Sequence, residues 1–443
     1  MNTSVLTTDS VSKLFFRYLI PSICGTMVTS IYVLADTIII GKGIGTSAMA
    51  ALNIVLPVFS IFFGFGLWYG IGGSVLMSIA RGRGNREAGE AYFSVALLLN
   101  ILTCILCTLC FWFFMEPIMR LLGATDVTMP YIRDYAPYVI LGLSCFAFST
   151  FLQTFVRNDG APKLSMIAVV TGGVLNIILD LVFVFPLQMG MKGASIASVI
   201  GSATTAFILL FHFPSKSNGL KFSLQGFHPR LIGEIYKNGF TSFLIEICSG
   251  IMLFVFNLQL LRYVGDIGVS MYGVIANTVI IVGCLCNGIN QAAQPLISVN
   301  HGAGLTARIE TVKRLGLRTA LLICAIPTAL GLVIPNLFTY IFLNPNAEIL
   351  ALSPSAIRIY FPAFLLMGVN MFIVGYFQST LRPQYSLILC LLRGCILGIV
   401  FVYILPPLFG VNGIWASIPL AEALTLLVAI VFLRKKNERE AGL

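Results

Sequence analysis

Asp36, Asp180, Glu246, Arg393 and Glu422 stand inside long apolar runs of this sequence. A charged group at the centre of a hydrocarbon layer costs about 2.5 to 3.5 kcal/mol on an insertion scale, so a chain that keeps one there has a use for it. Tyr32 precedes Asp36 by one helix turn and Asn176 precedes Asp180 in the same way, giving each carboxyl a polar neighbour on its own face. Two carboxyls brought together out of water cannot both ionise freely, which suits them to take up and release a proton or trade it for sodium. Ion coupling is the chemistry to expect of Asp36 and Asp180. Glu246 has Asn257 eleven residues on, three turns away on one face, a candidate position for substrate or for a cation. Met27 and Met252 are candidates for the wall of an apolar cavity. Arg393 and Glu422 carry opposite charges on neighbouring runs and are expected to pair as a buried structural salt bridge.

Other chemistries find no support. Cys104, Cys107 and Cys110 recur at intervals of three along one apolar run with no histidine near, a pattern of small packing residues. His212, His228 and His301, the three histidines, all fall in links. No metal is expected beyond a sodium ion at Asp36 and Asp180. Walker, His-Glu-x-x-His, nucleophile-elbow and dinucleotide patterns are absent, so neither an enzyme nor a cofactor is indicated.

The elements that must position these groups are membrane helices. Of 443 residues 58% are hydrophobic and 10% charged, and the mean hydropathy of +0.95 is far from that of a water-soluble domain. Apolar runs at 14–40, 51–78, 92–114, 135–155, 164–185, 191–213, 239–264, 271–299, 317–343, 356–380, 384–405 and 413–433 are each long enough to cross a bilayer. The sequence thus predicts an all-α integral membrane fold of twelve spans, with residues 1–213 as one six-helix lobe, 214–238 as a linker and 239–443 as a second lobe ending in a short basic tail. Prolines inside runs, such as Pro21, Pro57 and Pro362, invite kinks.

Lysine and arginine fix the expected orientation. Nineteen of them lie in one set of alternate links and the two ends, Lys13, Arg81, Lys436 and Arg439 among them, against six in the other set. The rich set should be cytoplasmic together with both termini. The net charge of +10 then reports topology, and no nucleic-acid partner is expected. On this orientation Asp36 and Asp180 fall in the outer half of the membrane.

The halves also repeat. Ser78-Ile79-Ala80-Arg81-Gly82-Arg83-Gly84 returns 220 residues later as Ser298-Val299-Asn300-His301-Gly302-Ala303-Gly304, each closing the second run of its half. Phe151-Leu152-Gln153-Thr154 returns 225 later as Tyr376-Phe377-Gln378-Ser379, and Gly190-Met191-Lys192-Gly193 returns 220 later as Gly410-Val411-Asn412-Gly413. Because each half has an even number of spans, both insert with the same orientation, related by a pseudo-two-fold axis along the membrane normal. Such a plan leaves a cavity between bundles for alternating access, and because one chain supplies both lobes a functional monomer is expected. Asp180 aligns with Val400 in this repeat, so the scaffold by itself does not require the acid.

Tyr32 to Gly41, Asn176-Ile177-Ile178-Leu179-Asp180 and Gly190-Met191-Lys192-Gly193-Ala194 carry a resemblance. Over essentially its whole length the chain resembles the multidrug and toxic compound extrusion (MATE) family, most nearly the multidrug-efflux branch of Gram-positive bacteria. That resemblance implies a cytoplasmic-membrane antiporter exporting small amphipathic, often cationic, compounds in exchange for H+ or Na+. It also implies a cation-coupling site formed by Asp36, Asp180, Asn176, Tyr32 and Ser198. Some branches place a cation site in the second lobe, on a Glu of helix 7 and an Asp of helix 10; Glu246 answers to the first, but Asn370 and Met371 stand where the Asp would be. The rival readings are a flippase for lipid-linked oligosaccharides and a non-transporting receptor or scaffold. A flippase wants several basic residues in its cavity for a pyrophosphate, where this chain offers Arg393 and mostly acids. A scaffold has no need of a repeat around intramembrane carboxyls.

Overall fold

An apolar run in lipid has no water to satisfy its N–H and C=O groups, so it closes them within a helix. The structure, a computed structural model, describes residues 3–343 and 345–440, with the side chains of 5–343 and 345–435. The tail charges of Lys436 and Arg439 lie outside the described side chains, as do residues 1–4 of the first expected lobe. Among the described residues twelve helices are long and apolar enough to span a membrane. They are α1 (Val11–Gly43), α2 (Thr46–Gly82), α3 (Arg86–Phe113), α4 (Met129–Asn158), α5 (Pro162–Val184), α6 (Gly190–Leu210), α7 (Arg230–Tyr263), α8 (Asp266–Gly302), α9 (Thr306–Val333), α10 (Ala347–Ser379), α11 (Pro383–Phe409) and α12 (Val411–Glu440). The expected all-α, twelve-span class is what the chain adopts.

The repeat is visible in the backbone. α2 and α8 are both 37 residues long, and α3 and α9 both 28. Gly84 and Gly304 follow α2 and α8 at φ +79° and +72°, a left-handed turn that favours glycine, and Gly190 and Gly410 both stand at +59°. The outward faces repeat as well. Leu102 and Leu106 on α3 are each 66% exposed, and their counterparts Leu322 and Ile326 on α9 are 70% and 62% exposed. So broad an apolar surface is untenable in water and natural against lipid.

The chain forms two units, Met1–Phe243 with Gln294–Ile309, and Leu244–Ala293 with Glu310–Leu443. Inside the first, α2 packs on α3 and α4, α4 on α6, and α5 on both α1 and α6. Phe62, Leu143, Val139 and Ala194 are fully enclosed in its core. The start of α7 belongs here because Trp68 stacks on Phe243 with ring centroids 4.8 Å apart, and its indole N–H donates to the Tyr236 carbonyl at 2.9 Å. The end of α8 belongs here too. Gly82 and Gly302 meet backbone to backbone, where a Cβ on either would run into the carbonyl of Val299 or Ile79. The repeated glycine elbows are therefore a helix crossing that admits no side chain.

In the second unit α12 packs on α10 and α11 around Trp415, Phe361 and Phe364. Pro362 stands at a break in α10, between helical stretches ending at Tyr360 and starting at Ala363. In α11 residues Leu392–Ile396 form a π-helical turn.

A buried polar knot ties the segment after α6 to the first unit. Asp159, in the turn between α4 and α5, accepts from His212 Nε2 at 2.6 Å and from the Gly219 N–H at 2.7 Å, and it pairs with Arg81 at the end of α2. Arg81 in turn donates to the Gly219 carbonyl at 2.5 Å. Burial by itself would push the Asp159 carboxyl up, but His212, Arg81 and the Gly219 N–H together hold it below the usual carboxylate range. A carboxyl held low in the folded chain stabilises it above the unfolded value, about pH 4, and that contribution is lost as pH falls through the depressed native value. Asp159→Asn is therefore expected to cost about 1.5 to 3 kcal/mol at neutral pH. It should also flatten the acid limb of thermal stability measured against pH in detergent. An acid limb as steep as in the parent protein would sink this account.

Candidate functional site

Close packing of small residues builds the site in the first unit. Ala168, Gly172 and Asn176 follow one another at four-residue intervals on α5, and Ala197, Gly201 and Thr205 do so on α6. Gly201 lies so near α5 that a Cβ there would be 2.8 Å from Asn176 Cβ, and Thr205 donates to the Ala168 carbonyl at 3.3 Å. This approach brings the Asn176 amide Nδ2 within 3.3 Å of Ser198 Oγ. On the other flank Gly173 opens α5 to α1, where a Cβ would sit 3.1 Å from the Tyr32 ring.

Tyr32, Asn176 and Ser198 share one cavity of about 60 Å³, whose polar wall includes Thr29, Ser149 and Gln153. That is room for a few waters or a small ion with part of its hydration. Asp36 and Asp180 lie one turn further along α1 and α5, near enough to interact directly with each other. Asp180 is fully buried and Asn176 is 3% exposed.

What distinguishes this site is the kind of atom left over. Asp36 Oδ1, both Oδ atoms of Asp180 and Asn176 Oδ1 are buried without a hydrogen-bond partner. All four are acceptors. Buried acceptors left unpaired are costly unless something positive enters. A proton shared between the carboxyls supplies that, and so does a hard monovalent cation, whose preferred ligands are oxygens. The residues present therefore fit either guest, with Asp36, Asp180 and Asn176 as the holders.

Tyr135 of α4 is a site residue that sequence reasoning missed. It is 1% exposed, its hydroxyl interacts with Ser198, and it lies within electrostatic reach of both carboxyls. Its hydroxyl needs a partner once buried, yet nothing in the local sequence says which helix provides one.

The remaining candidates are not among the residues that line this cavity. Met27 is half-buried on α1. In the second unit Glu246 and Asn257 are both half-buried on α7, and Met252 is a core residue whose thioether lies against Gly398 of α11. Arg393 and Glu422 form an ion pair at 2.8 Å. Asn370, noted for standing where a second-lobe acid would be, instead donates to Glu422 Oε2 at 2.7 Å and to the Glu422 carbonyl at 2.8 Å.

Twelve spans in repeated halves with a carboxyl pair buried in one of them define a multi-pass membrane carrier. The chain belongs to the MatE family, whose model matches it twice, over residues 21–182 and again over 242–404. The two matches fall one on each half of the repeat. Among curated proteins, the multidrug export protein MepA of Staphylococcus saprophyticus is 26% identical over 433 residues, covering 97% of this chain and 95% of that protein. MepA of Staphylococcus aureus strain MSSA476 is 25% identical over 434 residues, with the same coverage of both chains. Among solved structures, an outward-facing multidrug resistance MATE family transporter of the MOP superfamily superimposes with a TM-score of 0.91 at 23% identity. That superposition covers 98% of this chain and 97% of the other, and it establishes the two-lobe transporter fold. These relatives are export transporters rather than enzymes.

Proposed function

We propose that this protein is a secondary antiporter that exports amphipathic, often cationic, compounds in exchange for H+ or Na+ by alternating access. Asp36 and Asp180 hold the driving ion, with Asn176, Tyr32 and Ser198 completing its surroundings. The observation that carries the reading is the set of four orphan acceptor oxygens on Asp36, Asp180 and Asn176. Buried carboxyls with unpaired oxygens change their energy sharply when a cation arrives, which is what an ion must do to bias one conformation over another. Relatives named as multidrug exporters support the substrate class. The lysine and arginine bias supports both termini in the cytoplasm, with halves 1–213 and 239–443 working as the two moving lobes of a functional monomer. Against a lipid-linked pyrophosphate as cargo stands the charge of Arg393, which Glu422 already neutralises.

The deciding experiment reconstitutes the protein into liposomes and follows a fluorescent cationic dye under an imposed pH gradient or an imposed sodium gradient. One of the two is expected to drive dye accumulation, and the one that does names the ion. Correctly folded protein that moves dye under neither gradient would overturn the reading, and lipid-linked substrates would then be tried in the same vesicles.

A further inference from the structure

In the second unit, Cys286 of α8 and Cys324 of α9 meet sulfur to sulfur at 3.5 Å. They are 2% and 0% exposed. Each buried singly, a cysteine behaves as a small apolar residue. Here two thiols from adjacent spans face each other, and a third span closes over them at Gly368 of α10. A Cβ on Gly368 would lie 2.7 Å from Cys324 Sγ and 3.6 Å from Cys286 Sγ, so the sulfurs occupy space that the missing side chain leaves.

We propose that Cys286 and Cys324 are a reversible oxidation site, a thiol pair that hydrogen peroxide converts to a disulfide joining α8 to α9. A disulfide bond is about 2.05 Å long, so each sulfur has to move by less than about 1 Å. The step balances with peroxide as the two-electron oxidant. One thiol sulfur attacks an oxygen of peroxide, the O–O bond breaks, and the thiol proton joins the hydroxide that leaves, giving a sulfenic acid and water. The second thiol then displaces that hydroxyl, forming the S–S bond and releasing a second water that carries off its proton. Peroxide is small and uncharged, which lets it reach a pair enclosed within the membrane. A dithiol reductant reverses the change by thiol–disulfide exchange.

Other thiols of this unit supply an internal comparison. Cys248 of α7 interacts with Cys390 and Cys395 of α11, and a general reactivity of buried cysteines would link those as readily.

The test uses the full chain in lipid nanodiscs. Peroxide-treated protein is denatured in N-ethylmaleimide to cap every remaining thiol, digested and read by mass spectrometry. The expected product is a peptide pair joined through Cys286 and Cys324, lighter by two hydrogens than its parts. It should vanish on reduction before capping and in Cys286→Ser, and persist in Cys248→Ser. Gel-filtration elution of each variant checks that it is folded, and Cys324→Ser stands in where Cys286→Ser is not. Three outcomes overturn the proposal: both thiols still capped by maleimide after peroxide, separate oxidation to sulfinic acids, or linkage of either cysteine to a different partner. None of these readouts depends on transport.

Discussion

Asp36→Asn is expected to reduce gradient-driven dye accumulation in proteoliposomes by at least about a hundredfold, to the level of passive leak. Such a loss corresponds to about 2.7 kcal/mol of interaction removed from the step the ion drives. The substitution keeps the shape of the side chain, removes an ionisable acceptor and supplies an N–H₂ beside the orphan oxygens of Asp180 and Asn176. The protonated state of the carboxyl is thus imitated permanently, and the group can no longer cycle between loaded and empty. Because Asp36 forms no ion pair with a basic residue among the described side chains, the change leaves no cation stranded there, and yield and elution on gel filtration should match the parent protein. Dye binding measured without a gradient should survive, since coupling is a free energy between two sites and its loss does not abolish either one. Asp180→Asn should behave the same way if the carboxyls act as a pair. An Asp36→Asn protein that accumulates dye at the parent rate would remove Asp36 from the coupling site.

The prominence of Asp36 and Asp180 in the sequence has a physical cause. Acids inside apolar runs are expensive, so few remain, and four-residue spacing supplied Tyr32 and Asn176 as neighbours without knowledge of the tertiary fold. The twelve spans were legible for the same reason, since lipid imposes a strong and local constraint on length and polarity. What was not legible depends on tertiary contact. The first unit takes in the start of α7 and the end of α8, and both boundaries fall within continuous apolar helices where hydropathy gives no sign. Tyr135 costs little in a membrane helix and so announces nothing. Asp159 and His212 sit in links, where a solvated side chain is the ordinary expectation, yet the Gly219 segment folds over and buries them. Arg157, which follows the 135–155 run and is one of the nineteen basic residues that set the expected orientation, is only 2% exposed at the end of α4. Charge in a link signals orientation and leaves its burial undetermined.

The ion pair of the second unit calls for a different experiment, because its expected effect falls on stability. Arg393 rides on the π-helical turn Leu392–Ile396, an irregularity that costs a helix regular hydrogen bonding and is kept where it aims a side chain. Its Nε and Nη2 both donate to Glu422 Oε1, at 3.2 and 2.8 Å, while Asn370 occupies Oε2. The geometry satisfies both carboxylate oxygens. Glu422→Gln should therefore cost about 3 to 5 kcal/mol, mostly the penalty of leaving the Arg393 guanidinium buried and uncompensated. Replacing both partners, Arg393→Met with Glu422→Leu, removes the stranded charge and should recover most of that loss, because an apolar pair of similar volume needs no desolvation. Thermal unfolding in detergent of the single and double variants measures this directly. A Glu422→Gln protein as stable as the parent would show that the pair holds nothing together. Transport by the double variant then separates scaffold from mechanism. If it is stable and moves dye at the parent rate, Arg393 and Glu422 are structural; if it is stable and inactive, the charges themselves act in the transport cycle, and the second unit carries a working site of its own.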